Sequence, residues 1–556
     1  MYKRQLVDKS LVVAAPCARD ASGGMRYRLL ETIHEYAVER AAEVPSLRAE
    51  AEQRHRAWVR ALVERAAPLL RSAGQLPWIS RLETELDNIR AALDRALTAG
   101  AEAEAGSLAV AMGWFWWLRN YRHEGVEWLE RTLRLGAALD SGVRRPSGEE
   151  PGLPDPVDHF LAAPDGEAGH PLHALRMDLR MLHLFFLAEA GPLQEFLDRR
   201  RPYVERVSEF FGEGGPQAAR IPGLIWPMIR TFASGQADQG VLRGVMDTAV
   251  ANCRAHGGDW EIAVALMFRT HMVVDAPGDL AGVDDDLAEL RVLSRRVGDR
   301  WLRAQVCSAA GEAAMARSAF EEAEGEYEEA LRLAYEVGAY TESPFLIARL
   351  AEIAYRAGDR PAALAALDEA SAAADRYGVA DSKAFVLLLR AQMASEDGHT
   401  ARARELCEAA RAAAERGTPP PQFMVMLQLI DAVITADESG PETALPKLAG
   451  ALREAVDKRC SDTIRATVAD GGAALLADLG DFPRAVRLLG AGDHWRAGRP
   501  HPMPERAQAE RTDAEARAAL GAARCEAERA RGTALTSDDV LRELAEAQRA
   551  YTASRR

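Results

Sequence analysis

Aromatic side chains make up only 6% of these 556 residues although 48% are hydrophobic, so Ala and Leu carry most of the apolar content. Such a composition favours helices that approach one another over small side chains. Cysteine is scarce as well. Cys17, Cys253, Cys307, Cys407, Cys460 and Cys525 stand singly, with no C-x-x-C and no nearby histidine cluster. That spacing excludes a zinc ribbon and a disulfide framework, and it fits a cytoplasmic protein. Positive charge is also short: 69 Lys and Arg against 84 Asp and Glu leave a formal net charge of -15. The sign is wrong for gripping phosphate backbones, so no direct nucleic-acid binding is expected of these residues. No apolar run is long enough to span a bilayer, the N-terminus lacks a secretory stretch, and no membrane partner is expected.

Catalytic grammar is missing too. The sequence holds no G-x-S-x-G, no H-E-x-x-H, no metal-spaced carboxylate set and no G-x-x-x-x-G-K-[ST]. The reading is a non-enzymatic chain with no cofactor and no metal, with triads assembled from distant residues left open. His123, His494 and His501 read as solvated turn residues, and the acidic runs GVDDDLAEL and FEEAEGEYEEAL as solvent faces of helices. Asp284 to Asp286 suit a helix N-terminus.

What is present is a period of forty. Gly258, Gly298, Gly338 and Gly378 fall 40 residues apart, and Gly417 follows one residue early. Between them Ala323, Ala363 and Ala403 align, then Tyr327, Leu367 and Cys407, then Ala330, Ala370 and Ala410. Offsets of four and seven define one helix face, and Gly311, Ala351 and Ala391 mark a second helix, so each unit is an antiparallel helical hairpin. Turns recur as RAGDRPAA around Gly358 and EDGHTARA around Gly398. Slightly out of register, two more units show at Ala432, Ala444 and Leu448, then at Ala473, Ala485 and Leu489. This grammar resembles the tetratricopeptide repeat in a long form of about 40 residues, with a HEAT-like hairpin as the alternative.

The fold class expected is therefore all-α: a tetratricopeptide-like helical-hairpin superhelix, preceded by a partial winged-helix remnant with a short β-hairpin. Residues 1–45 are assigned to that remnant, with a strand through LVDKSLVV, a Gly-Gly turn, a second strand at RYRLL and a helix ended by Pro45. Residues 46–140 form a helical domain. In it Ile79, Leu82, Leu86, Ile89, Leu93 and Leu97 make a buried stripe. Trp114, Phe115, Trp116, Trp117 and, after a turn at Gly125, Trp128 read as core in preference to a ligand cage. Residues 141–171 are rich in proline and glycine and read as a flexible loop. A helical segment over 172–256 leads into repeats over 257–492 and a C-terminal helical cap over 493–556.

Several stretches are similar to the actinobacterial AfsR/SARP-like regulators of the signal-transducing NTPase class: LVDKSLV, RYRLLETIHEYAVERA, LETELDNIRAAL, WFWWLRNYRHEGVEWLERTL and AVRLLGAGDHWRAGRPHPMPERAQAERTDAEARAALG. The resemblance implies DNA-binding and nucleotide-binding domains upstream of the winged helix, and an array that acts as sensor or partner-binding region. His34 departs from the family, where Arg is commoner. MYKRQ resembles a translated transposon end used in library preparation, so native sequence is expected to begin at about Leu6, as a gene fragment; an authentic start is the alternative.

The function expected is a sensor and protein-interaction region of a bacterial transcriptional regulator, coupled in cis to a missing upstream NTPase domain. The alternative is a stand-alone tetratricopeptide scaffold; an enzyme with a site in 141–256 is the third reading. Aligning first helices on Gly311, Ala351 and Ala391 places Gln305, Glu312, Met315, Phe345, Glu352, Tyr355, Phe385 and Gln392 in a concave groove. A protein or peptide partner, or a small effector, is expected there. Tyr355→Ala is accordingly expected to spare stability and weaken binding.

Overall fold

The computed structural model describes residues 2–16, 25–142, 155–163, 165, 167–190, 193–234, 239–274, 280, 282–417, 419–497, 501 and 505–554. It divides into two compact units, Met1–Gly235 with Asp247–Ala265 and Val292–Leu302, and Gln236–Met246 with Leu266–Arg291 and Arg303–Arg556.

The first unit opens with α1 (Tyr2–Asp8), an antiparallel hairpin of β1 (Val12–Pro16) and β2 (Met25–Leu29), and α2 (Glu31–Ala42). Val12 faces Leu29 and Pro16 faces Met25 across the ladder. Leu6 and Val7, expected in a strand, lie instead in α1. Asp8-Lys9-Ser10 breaks the chain direction, Ser10 takes a left-handed φ of 57°, and extended backbone begins only after it. The Gly-Gly turn expected next lies outside the described residues. Pro45 does not merely end α2: it opens α3 (Pro45–Leu69), where its fixed φ suits a first helical turn.

α4 (Gln75–Thr98), α5 (Glu102–Leu118) and α6 (Arg122–Asp140) follow as closely spaced helices. Ile79, Leu82, Leu86, Ile89 and Leu93 are buried and Leu97 is half-buried, as the stripe predicted. The turn expected at Gly125 lies at Asn120, with φ 59°. Gly125 lies inside α6, and glycine is needed there because a Cβ would stand 2.3 Å from the Phe186 ring. Of the flexible loop expected over 141–171, residues 143–154 lie outside the described residues, and the stretch after them is corrected by α7 (Pro156–Ala162). Asp155 caps that helix by accepting from the Val157 and Asp158 amides, Pro156 fits its first turn, and Phe160 is buried against Tyr203. Beyond it run α8 (His173–Ala190), α9 (Leu193–Gly212), α10 (Trp226–Ser234) and α11 (Gln239–His256).

α12 (Asp259–Val274), α13 (Val283–Val297), with Asp284 to Asp286 in its first turn, and α14 (Arg300–Ala316) complete this stretch. Within the first unit Trp114, Trp117, Trp260 and Trp301 pack as one cluster, with Trp114–Trp117, Trp114–Trp301 and Trp117–Trp301 centroids each 4.9 Å apart. These rings fill one another, which is core packing. Beside them fully buried Asp299 caps α14, accepting from the Trp301 and Leu302 amides, from Gln75 Nε2 at 2.9 Å and from Trp260 Nε1 at 2.8 Å. Burial pushes its carboxyl up from the ordinary value, and these donors oppose that rise.

The second unit carries the array: α15 (Phe320–Val337), α16 (Ser343–Arg356), α17 (Arg360–Tyr377), α18 (Ala380–Glu396), α19 (Thr400–Ala414), α20 (Pro421–Ser439), α21 (Pro441–Asp457), α22 (Asp462–Asp478) and α23 (Phe482–Arg496). Gly338 and Gly378 end α15 and α17 in the left-handed region, with φ of 73° and 70°. From α16 onward each first helix touches its own partner and the next first helix, and each second helix touches the next first helix. This is a stack of helical hairpins of the tetratricopeptide-like kind. The second-helix alanines 323, 363, 403, 444 and 485 are all fully buried, spaced 40, 40, 41 and 41. One added residue per repeat explains the slip in register.

First- and second-helix sizes compensate. Gly311 lies against the Tyr327 ring, where a Cβ would come within 2.7 Å. The later pairs are Ala351 with Leu367, Ala391 with Cys407, Ala432 with Leu448 and Ala473 with Leu489, each pair in one buried cluster. α24 (Glu505–Leu520), α25 (Ala522–Gly532) and α26 (Ser537–Ser554) follow, and Val540, Leu544 and Ala547 join the last repeat's core. Leu367 is 1% exposed between α16, α17 and α18, so Leu367→Ala is expected to cost about 2–5 kcal/mol in urea unfolding. A loss below about 0.5 kcal/mol would place it outside the stack.

Candidate functional site

The residues that line the inner face recur by register. Positions 305, 345 and 385 continue to Met426 and Thr467, positions 312, 352 and 392 to Val433 and Ala474, and positions 315 and 355 to Ser395 and Ala436. A cavity of about 600 Å³ is lined by Gln392, Ser395, Met426, Val433, Ala436, Thr467 and Ala474 from these columns. Leu429, Ile430, Gly471 and Leu475 extend its apolar surface, and α24 supplies a wall through Glu505, Ala507, Gln508 and Arg511.

Of the eight residues expected in the groove, Gln392 lines this cavity. Gln305, Met315, Phe345 and Phe385 are half-buried on the same helix face of earlier repeats. Glu312, Glu352 and Tyr355 are buried. Tyr355 is 7% exposed and belongs to the cluster of Ile347, Ala351 and Leu367, so the expected tolerance of Tyr355→Ala is corrected: its ring is core.

Sequence reasoning missed Arg349, which closes this earlier part of the face. Its guanidinium meets Glu312 through two hydrogen bonds of 2.8 and 2.7 Å and Glu352 through one of 2.8 Å. It lies 5.2 Å from the Phe345 ring centroid and 4.8 Å from that of Phe385. Tyr327 donates to Glu312 at 2.6 Å, and Arg356 donates to Glu352 at 2.8 Å. Burial alone would raise the Glu352 carboxyl, but Arg356 and Arg349 hold it below its ordinary value. A repeat alignment could not find Arg349, because its register position carries Ala309 one repeat earlier and Leu389 one repeat later.

In the first unit Asp140, His159 and Glu167 come close enough to share a metal ion. A cation already stands there. Arg176 binds Glu102 at 2.6 Å, Asp140 at 2.5 Å and Glu167 at 3.2 Å, and is itself 2% exposed. His123 and His494 are exposed, on α6 and α23. His501 is not the solvated residue expected: its Nε2 lies 3.3 Å from buried Asp470, which also pairs with Arg496, and burial and Arg496 hold the imidazole below its ordinary value. No helix among the described residues is long and apolar enough to cross a membrane.

Part of the chain is similar to known regulators. Over 130 residues it is 40% identical to proteins named HTH-type transcriptional regulator in Mycobacterium bovis and in Mycobacterium tuberculosis. The matched stretch covers 23% of this chain and 14% of each relative's length. No family model matches. Among solved structures, a chain of the APC/C hetero-tetramer Cut9-Hcn1 aligns over 82% of both chains at 11% identity and a TM-score of 0.42. Yeast Tom70 aligns over 83% of this chain and 95% of its own at 12% identity and 0.31. Aspartyl phosphate phosphatase F of Bacillus subtilis aligns over 78% and 93% at 13% and 0.27.

Two substitutions separate framework from groove. Tyr355→Ala is expected to cost about 3 kcal/mol of stability, and an unchanged urea midpoint would return the ring to the groove. Arg349→Met takes a guanidinium from two buried carboxylates, leaving Glu312 with Tyr327 and Glu352 with Arg356, and is expected to cost about 3 kcal/mol at pH 7. Its sign with pH is fixed. Arg356 and Arg349 together depress the Glu352 carboxyl, and Arg349→Met removes the second contribution, so parent stability falls as acid protonates Glu352, and the gap to Arg349→Met narrows below about pH 5. A gap that stays constant from pH 7 to pH 4 would contradict the network.

Proposed function

We propose that this chain is a non-enzymatic sensing and interaction region of a transcriptional regulator, of the AfsR/SARP-like kind, in which the inner face of the repeats holds an effector or a partner. The observation that carries this reading is the cavity built from the same register positions of three successive first helices, α18, α20 and α22. A face repeated in this way presents a continuous lining to one ligand. The 40% match to proteins named as transcriptional regulators supports the setting, and a helix-hairpin-helix N-terminus of α1, β1, β2 and α2 suits the end of a winged helix that couples the array to upstream nucleotide- and DNA-binding parts. For occupancy to alter output, the ligand must bind one arrangement of the repeats more tightly than another. Adjacent hairpins share one core, so a change in one repeat is felt by its neighbours.

The test is transcriptional. Val433→Lys would fill the cavity with a long charged chain, and in the host it should shift the same transcripts that deletion of the gene shifts. The protein's unfolding midpoint is measured alongside, to separate lost binding from lost folding. If deletion leaves transcripts unchanged, the stand-alone scaffold replaces the regulator.

A further inference from the structure

Glu396, Asp437 and Asp478 occupy one register position, 41 residues apart, at the ends of α18, α20 and α22. All three line the cavity. Glu396 has a cation, with Arg360 Nη1 at 3.4 Å. Asp437 and Asp478 have no side-chain hydrogen bond or ion pair with any described residue. Both carboxylates are exposed; partial desolvation raises the Asp478 carboxyl, the charges of Glu515 and Asp437 add to the rise and Arg511 opposes it, while desolvation and Glu438 raise Asp437. Like charges at neighbouring positions of a stack destabilise it unless a counter-ion arrives. Of the other charged groups of the lining, Asp470 pairs with Arg496, Glu505 with Arg356 and Arg360 with Asp397, while Arg511 donates to the neutral Gln508 amide and its charge reaches Asp478.

Beside these carboxylates the surface is apolar, formed by Met426, Ile430, Val433 and Ala474. We infer that this end of the groove binds a small organic cation, its ammonium at Asp437 and Asp478 and its apolar body on Met426, Ile430 and Val433. The inference rests on the proposed role of the inner face and names the chemistry of its ligand. A volume of about 600 Å³ fits a small molecule. Few amide side chains, Gln392 and Gln508, are at hand to satisfy an extended peptide backbone, and an organic anion would meet the carboxylate column.

The experiment titrates the full chain calorimetrically with 4-phenylbutylammonium, and with 4-phenylbutanol and 4-phenylbutanoate as neutral and anionic probes of the same body. The ammonium is expected to bind at least about tenfold tighter than the alcohol, a gap of about 1.4 kcal/mol, and the carboxylate not at all. Asp437→Asn/Asp478→Asn should bring ammonium and alcohol within about twofold. That variant removes repulsion, so its unfolding midpoint should be no lower than the parent's. The exposed pair Glu321→Gln/Glu322→Gln changes net charge equally and should leave the preference intact. Equal binding of ammonium and alcohol, a preference that survives the Asp substitutions, or no binding by any probe overturns the inference. If no probe binds while Val433→Lys still shifts transcripts, the groove is used by a ligand of other chemistry; if neither happens, the proposed role of the groove falls as well.

Discussion

The second unit depends on one constraint: every 40 or 41 residues, a small residue on a first helix must face a side chain of complementary size on its partner. Gly311 admits the Tyr327 ring, while Ala351 and Ala391 face the smaller Leu367 and Cys407. Close packing leaves no room for both members of a pair to be large and no filling if both are small. Each pair also lies in the cluster that joins its hairpin to the next, so helix spacing within a repeat and contact between repeats are set by the same atoms. The columns that line the cavity follow from it, because a fixed hairpin repeated at constant spacing presents the same positions to the same face.

Buried charge tunes this frame locally. Arg349 is present in one repeat only, and there it locks Glu312 and Glu352, which their positions would otherwise offer to a ligand. Farther along the same column Gln392, Val433 and Ala474 lose charge, and the face opens into a cavity. In the first unit Arg176 and Asp299 act likewise, each a buried polar side chain satisfied by groups of the protein. Removing a partner from such a group costs more than the pair contributes, so these sites read as framework.

Periodicity made the array legible in the sequence, since Ala323, Tyr327 and Ala330 recur at spacings that only a repeated hairpin explains. It also placed Gln392 on the inner face, while the continuation of that column at Val433 and Ala474 was found only in the structure. Four things were not legible. The step from 40 to 41 residues hid the last two repeats' alignment, and the cavity sits among them. Arg349 has no counterpart in neighbouring repeats, so no pattern pointed to it, and Tyr355 was placed in the groove when its ring fills the core. Composition marked 141–171 as loop, whereas Asp155 and Pro156 start a helix that Phe160 anchors between Arg180 and Arg206. Local residue content cannot reveal a contact made with a helix forty residues away.

The size-matching constraint can be tested by moving one pair into another repeat. Cys407→Tyr alone overfills the space against Ala391 and is predicted to cost about 1–3 kcal/mol in urea unfolding. Ala391→Gly/Cys407→Tyr recreates the Gly311 and Tyr327 pair and is predicted to recover most of that loss, less about 1 kcal/mol for a glycine inside a helix. A double variant less stable than Cys407→Tyr would show that the two positions do not face each other as a pair, and the account of the stack would fail with them.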